Sequence, residues 1–425
     1  MKKHLLLVLP LLLSTTGFGQ HKHESLKERE IRQLKVNQSQ IKDFETREER
    51  EIFNNRFKSL EKEITDGYLK ENFVLDTEYK KFIEQLFNQF IAQNKEYQLR
   101  KPTIYITKTN SPNAASAGFD YYFVNSGILC YLDNEYQLAA VIGHELAHNY
   151  LDHSRESIKQ DAEFYREFKK ERRLLKKSEM IKLIKSQDEV IQKKYDLAVL
   201  SRKKEIAADS LGFVFYAKLN FPKSEYLGLL NKLEEIDNEK FKITNDETYQ
   251  QLFEVNGFKI KPKWLKLEKD ELFSGLTFTE HIDKDSVKSH PNTRDRKEWV
   301  MNKFKINENK DAKIEASELF LKLKNKMIQQ KYETYLHNDN YAFALYLIMQ
   351  EKQENSERSD LDFNMNRILL KLYEGRLKHE FNKYVPIADA NDEDQDYNRF
   401  LNFLWNIPTP DFKTIADYYN TKATL

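Results

Sequence analysis

Residues 134–151 read NEYQLAAVIGHELAHNYL, and the fold turns on how this stretch is placed. Leu138, Val141, Ile142 and Leu146 recur at the three- and four-residue steps of an amphipathic helix running to about Leu151. Asp133 or Asn134 can cap its start. On that helix His144 and His148 lie one turn apart on the same face, so both imidazoles can reach one metal ion. Glu145 projects about 100° further round, close enough to contact a water at the metal without being a ligand. A chance HExxH arises in on the order of a few per cent of chains of this composition, so the setting has to decide. The flank Leu138 to Ile142 is wholly apolar, which buries the helix, and unpaired charge on a buried helix is costly. A metal supplies one such partner, and a satisfied pair of core histidines is the alternative.

Catalytic zinc takes three protein ligands and keeps a fourth position open. In the run KEIAAD, which begins at Lys204, Glu205 and Asp209 are four residues apart and share a helix face. One carboxylate can bind the metal while the other accepts the N–H of a ligand imidazole and fixes its tautomer. Upstream, Lys101–Thr107 (KPTIYIT) and Asp120–Val124 (DYYFV) read as strands bracketing the turn-like SPNAASAG. They are the only clear sheet signal in the chain.

The rest of the pattern is helical. Gly numbers 11 and Pro 9 in 425 residues while 32% are charged, a balance that favours long solvated helices over turn-rich sheet. The expected class is therefore mainly α with a small β-sheet, an α+β core flanked by helical regions. Phe82, Ile83, Leu86, Phe87, Phe90 and Ile91 mark a helix late in an N-terminal segment spanning 20–98. A charged insert, about 155–200, reads as a long helical hairpin whose basic cluster Lys169–Lys177 is diluted by glutamates into a solvated face. Separate helices are expected over Arg202–Leu219 and Lys223–Ile236. A catalytic domain is expected over 99–306 and a C-terminal helical region over 307–425, with a tetratricopeptide-like array and an irregular helical cap as its two readings, since no clean repeat period is found.

The N-terminus, MKKHLLLVLPLLLSTTGFG, has the layout of a cleavable secretory signal over 1–19, and its apolar run is too short to span a bilayer. No later stretch is long and apolar enough to do so. Export is expected, to the periplasm foremost, with secretion or peripheral membrane association as alternatives. Removing Lys2 and Lys3 takes Lys+Arg from 69 to 67 against 68 Asp+Glu, a balance that offers nothing to nucleic acid. Cys130 is the only cysteine, which rules out an internal disulfide.

Four motifs in order, PNAASAG…VNSGIL, HELAH, EIAAD and SHPNTRDR, resemble those of the gluzincin metallopeptidases that include the HtpX, CaaX prenyl endoprotease, OMA and BepA-type proteases. The resemblance covers about Lys101 to Arg296, and the missing membrane spans match the family's soluble periplasmic branch. It implies one Zn²⁺ per chain on His144, His148 and Glu205, with Glu145 as general base and Asp209 outside the ligand shell. Asn113, Ala114, Ala115 and Ser116 fall on the edge that pairs with extended substrate in relatives. Ala115 and Ser116 replace a more usual Phe-Ala there, and Phe119-Asp120 replace glycines. The HPxxxxR element places His290 and Arg296 near the site. His290 is the candidate oxyanion donor, with capping of the metal or a structural role as alternatives, and Arg296 can pin its loop through Asp209 or another carboxylate. His153, just past the helix, reads as structural.

These features imply a zinc-dependent endopeptidase acting on extended or unfolded polypeptide, with envelope or outer-membrane proteins as candidate clients in quality control. The alternatives are a chaperone or assembly scaffold with little turnover and a hydrolase of non-peptide amides or esters.

Overall fold

The structure, a computed structural model, describes residues 38–175, 180–238, 243–267, 293–307, 314–354, 358–389 and 394–423. The expected signal segment and His290 lie outside them.

The chain opens with α1 (Arg47–Leu69), started by a reciprocal cap in which the Thr46 hydroxyl accepts from the Glu49 N–H while the Glu49 carboxylate accepts from the Thr46 N–H. Next comes α2 (Thr77–Gln93), capped by Asp76. A three-stranded sheet follows, of β1 (Thr103–Thr107), β2 (Ala114–Gly118) and β3 (Tyr121–Asn125) in the order β1-β3-β2. β1 and β3 are parallel, and β2 runs antiparallel to β3 along the sheet's edge. The sequence reading had β2 as part of a turn: its residues are Ala, Ala, Ser, Ala and Gly, which carry no strand preference of their own. Pairing with the strongly β-forming YYFVN of β3 makes the strand instead.

Phe119 and Asp120, which join β2 to β3, both have positive φ (57° and 68°), as a tight two-residue hairpin turn demands. Asp tolerates that region; Phe does so at a cost that its packing on Phe53 and Phe57 of α1 helps to offset. Asn149 clamps the turn to the next long helix: its amide donates to Asp120 Oδ1 at 2.7 Å, and its carbonyl accepts from the Asp120 N–H at 3.1 Å.

After the short α3 (Ile128–Tyr131) comes α4 (Glu135–Tyr150), the HExxH helix, with Asn134 accepting from the Tyr136 and Gln137 N–H groups as its cap. Leu138, Ala139, Ala140, Ile142, Leu146 and Ala147 are buried. A hairpin of α5 (His153–Leu175) and α6 (Met180–Ala217) follows. The 38 residues of α6 run on through the stretch expected as a separate helix, so the hairpin's returning arm and the Glu205 helix are one element. α7 (Ser224–Asp237) and α8 (Asp246–Phe253) come next, then α9 (Thr293–Phe304), α10 (Glu318–Gln329), α11 (Lys331–His337), α12 (Tyr341–Glu354), α13 (Ser359–Leu377), α14 (Phe381–Tyr384), α15 (Gln395–Asn406) and α16 (Thr409–Ala423). The architecture is the expected one, mainly helical around a small sheet.

Among the described residues the apolar side chains gather into three clusters. The first joins α2, the sheet, α4, the C-terminal part of α6, α7, α9 and α10. The second joins Tyr249, Phe253 and Trp264 to the helices from α11 to α16. A smaller one fixes α1 across the sheet's other face. No helix among the described residues is long and apolar enough to cross a membrane.

α4 and α6 touch backbone to backbone. A Cβ added at Gly212 would stand 3.0 Å from both the Gly143 carbonyl oxygen and His144 Cα, so only glycine permits this approach. The crossing lies one residue from His144 and less than one turn past Asp209, and it sets how closely the two helices present their polar faces.

Candidate functional site

α4 contributes His144, Glu145 and His148, and α6 contributes Glu205 and Asp209. The two imidazoles turn their Nε2 atoms toward each other, 3.0 Å apart. Glu205 straddles them, with Oε2 3.4 Å from His144 Nε2 and Oε1 3.4 Å from His148 Nε2. One ligand atom from each of His144, His148 and Glu205 falls within a 4.8 Å span. Two neutral imidazoles and a carboxylate are a donor set suited to zinc.

The two rings differ sharply in their hold on a proton. Burial works against charge on His144, yet Asp209 and Glu205 outweigh it and raise that ring's proton affinity far above the ordinary value. His148 is driven the opposite way, by burial first and then by His144. A divalent ion held by the two Nε2 atoms and Glu205 would remove the rings' competition for a proton.

Asp209 stands behind His144, its Oδ1 2.9 Å from Nδ1, a close charge contact short of an aligned hydrogen bond. Arg296, on the first turn of α9, grips the same carboxylate in a fork: Nε donates to Oδ2 at 2.7 Å and Nη2 to Oδ1 at 2.8 Å. The guanidinium also stands 3.7 Å from Glu205. Burial alone would raise the Asp209 pKa, but Arg296 and then His144 hold it down to about 2. The structure therefore brings Arg296 to Asp209, one of the two arrangements the sequence left open.

Glu145 is not among the groups that converge on the two Nε2 atoms. Its Oε2 accepts a 2.7 Å hydrogen bond from the Ser116 backbone N–H. Burial pushes its carboxyl up to about 7, against the opposing pull of His144 and Ser116, which is the range a proton acceptor needs near neutral pH.

That bond also fixes which way β2 faces. The Asn125 N–H donates to the Asn113 carbonyl across the ladder, while the Ser116 N–H points out of the sheet toward α4. Antiparallel residues alternate in this respect, so Ala114 and Ser116 turn their backbone groups to the cleft while Asn113 and Ala115 pair with β3. The cleft, ≈ 510 Å³, runs from Asn113–Ser116 past the two histidines to Val141, Leu229, Leu230 and Leu233, with Arg296 at its far wall. A larger cavity, ≈ 820 Å³, lies beside Glu71–Asp76 and α11, and two ion pairs, Lys326 with Asp76 and Arg367 with Glu333, line it.

His153 was read from sequence as structural. The structure places its Nδ1 2.9 Å from His148 Nδ1. Its five-residue spacing from His148 gave no sign of this, because the contact depends on a backbone turn at Asp152, whose φ is 55°.

A small edge-strand sheet on an HExxH helix, with a carboxylate supplied by a later crossing helix, is the build of a metallopeptidase. The model of peptidase family M48 matches residues 79–301, just over half the chain, and the protein belongs to that family. No curated protein matches it.

Proposed function

We propose that this M48 metallopeptidase is a zinc-dependent endopeptidase that draws an extended polypeptide along β2 and cleaves it beside His144, His148 and Glu205. The observation that carries the reading is the junction of the three convergent donors with an unpaired strand edge, the two joined by the Glu145–Ser116 hydrogen bond. Zinc, when bound, supplies Lewis-acid activation of water and of the scissile carbonyl. The chain's own residues do the remainder. The Ala114 backbone groups and the Ser116 carbonyl hold the substrate extended, as a strand added to the sheet, while the Ser116 N–H stays on Glu145. Glu145, anchored through one oxygen by Ser116, takes the proton from the attacking water and can return it to the leaving amine. Asp209, fixed by Arg296, orients His144. His290 is assigned the oxyanion role on the motif it shares with relatives.

An edge strand accepts any backbone in β conformation, and folded proteins seldom offer one. Unfolded or misassembled polypeptides are therefore the substrates that fit, and with an exported chain those clients are envelope or outer-membrane proteins. The separate core of the C-terminal helices supports a second reading, in which that region holds clients and turnover is minor.

The test compares wild type, Glu145→Gln and His148→Ala for casein hydrolysis and for bound zinc by mass spectrometry. Glu145→Gln should keep stoichiometric zinc and lose about 10²–10⁴-fold in kcat. His148→Ala should lose both. Undiminished hydrolysis by Glu145→Gln would refute the assignment of the base, and client capture that survives without hydrolysis in cells would favour the scaffold.

A further inference from the structure

We propose that His153 is a positioning residue for the metal centre, the hydrogen-bond acceptor that fixes the tautomer and ring plane of His148. The inference rests on reading His148 as a metal ligand and extends it to a residue that the proposed mechanism does not use.

The His148 ring has two nitrogens with different surroundings. Nε2 faces His144 Nε2 at 3.0 Å and Glu205 Oε1 at 3.4 Å, so its lone pair is the one directed at the metal position. Nδ1, on the other side of the ring, stands 2.9 Å from His153 Nδ1. Two imidazole nitrogens at that distance need one proton between them. If Nε2 gives its lone pair to a metal, the proton of neutral His148 sits on Nδ1. His153 Nδ1 then accepts, and the His153 proton is confined to Nε2. The two rings are nearly perpendicular, 78° between planes with centroids 4.9 Å apart, which lets the Nδ1–H of one point at the in-plane lone pair of the other.

The surroundings of His153 are built to hold it there. The residue is buried, at 8% exposure. The left-handed turn at Asp152, clasped by Arg155 Nε at 2.7 Å, folds the chain back so that the first residue of α5 lies against the last turn of α4. Lys204, the neighbour of Glu205 in sequence, reaches from α6 to the start of α5, donating to Ser157 Oγ at 2.9 Å and Gln160 Oε1 at 2.8 Å. The start of α5 is thereby tied to the helix that supplies the carboxylate. Each ligand imidazole thus has its own partner on the side away from the metal, Asp209 for His144 and His153 for His148, and such partners govern metal affinity by about 10–100-fold.

The experiment uses the full chain with two substitutions. His153→Leu fills the space without an acceptor, whereas His153→Asn can place a carbonyl oxygen near the position of Nδ1. Zinc affinity is read by competition with a chromogenic chelator, and the thermal midpoint of the metal-stripped protein is read alongside. The expected result is about a 10–100-fold loss of zinc affinity in His153→Leu, substantial recovery in His153→Asn, and metal-stripped midpoints that match wild type. Wild-type affinity in His153→Leu would overturn the proposal. So would equal losses in both variants together with lowered metal-stripped midpoints, the signature of a packing residue. Wild-type protein that binds no zinc would overturn the metal centre itself and this inference with it, so the two failures are told apart by the wild-type titration.

Discussion

At the scale of single residues, the most constrained group is Asp209. It is 1% exposed and shared between a forked guanidinium and an imidazole. Its carboxyl titrates at about 2 when folded, below the ordinary 3.8. The native state therefore binds this proton more weakly than the unfolded chain, and the resulting stability is fully present above about pH 4 and fades as pH falls through 2. Asp209→Asn strips the buried Arg296 of its forked partner and leaves it only Glu205 at 3.7 Å, which should cost up to about 3–5 kcal/mol in urea unfolding of the metal-stripped protein at pH 6. That difference should hold down to about pH 4 and narrow below it. A constant difference through the acid range would mean that the pair does not carry the effect. That His144 and His148 share a face with Glu145 beside them was legible because one helical turn sets it, whereas spacing left Glu205 and Asp209 equal candidates and only the resemblance chose Glu205, the carboxylate that the structure brings to the two rings. The part played by His153 was not legible, because a positive φ at an aspartate leaves no mark on residue spacing.

At the scale of elements, the decisive contact is the crossing of α4 and α6 at Gly143 and Gly212. A methyl group at Gly212 would press on a carbonyl oxygen, on His144 Cα and on the Tyr226 hydroxyl. Backbone cannot yield as a side-chain tip can. Gly212→Ala should therefore cost about 1–3 kcal/mol of stability and, by forcing the helices apart, weaken zinc binding although no ligand is altered. Unchanged zinc affinity in a folded Gly212→Ala protein would show that the crossing does not set the ligand geometry. The helix boundaries were largely readable: Asn134 caps α4 as expected, and α7 starts within a residue of its expected place. Two readings failed for different reasons. β2 lacks strand-forming residues and exists through its pairing with β3. The long α6 carries no glycine, proline or cap near residue 200 to end it, and the helix runs on unbroken.

At the scale of the whole molecule, the chain interleaves its two large cores. After α7 it leaves the catalytic core, commits Tyr249, Phe253 and Trp264 to the second core, and returns with α9 and α10, whose Val300, Phe320, Leu323 and Met327 complete the first. A chain truncated after Ile306 would lose α10 from the catalytic core and expose three aromatics that belong with the second. It should be insoluble or fail to unfold cooperatively, as judged by soluble yield and calorimetry. A stable truncated peptidase would show that the two cores are separable. Composition and periodicity announced two helical regions but not this exchange, since an apolar stripe says that a helix is buried and not against what.

Because α10, which completes the first core, runs into α11 of the second with only Gln330 between them, the C-terminal helices have a hand in the metal site from a distance. Loosening them strips support from α10 and so from the core that holds α4 and α6. Withdrawing zinc should be felt in the opposite direction: in a Trp299→Phe background, which leaves Trp264 and Trp405, neither of them lining the cleft, chelation should lower the melting temperature that they report. A protease wired in this way would lose its activity as soon as its own tail begins to unravel.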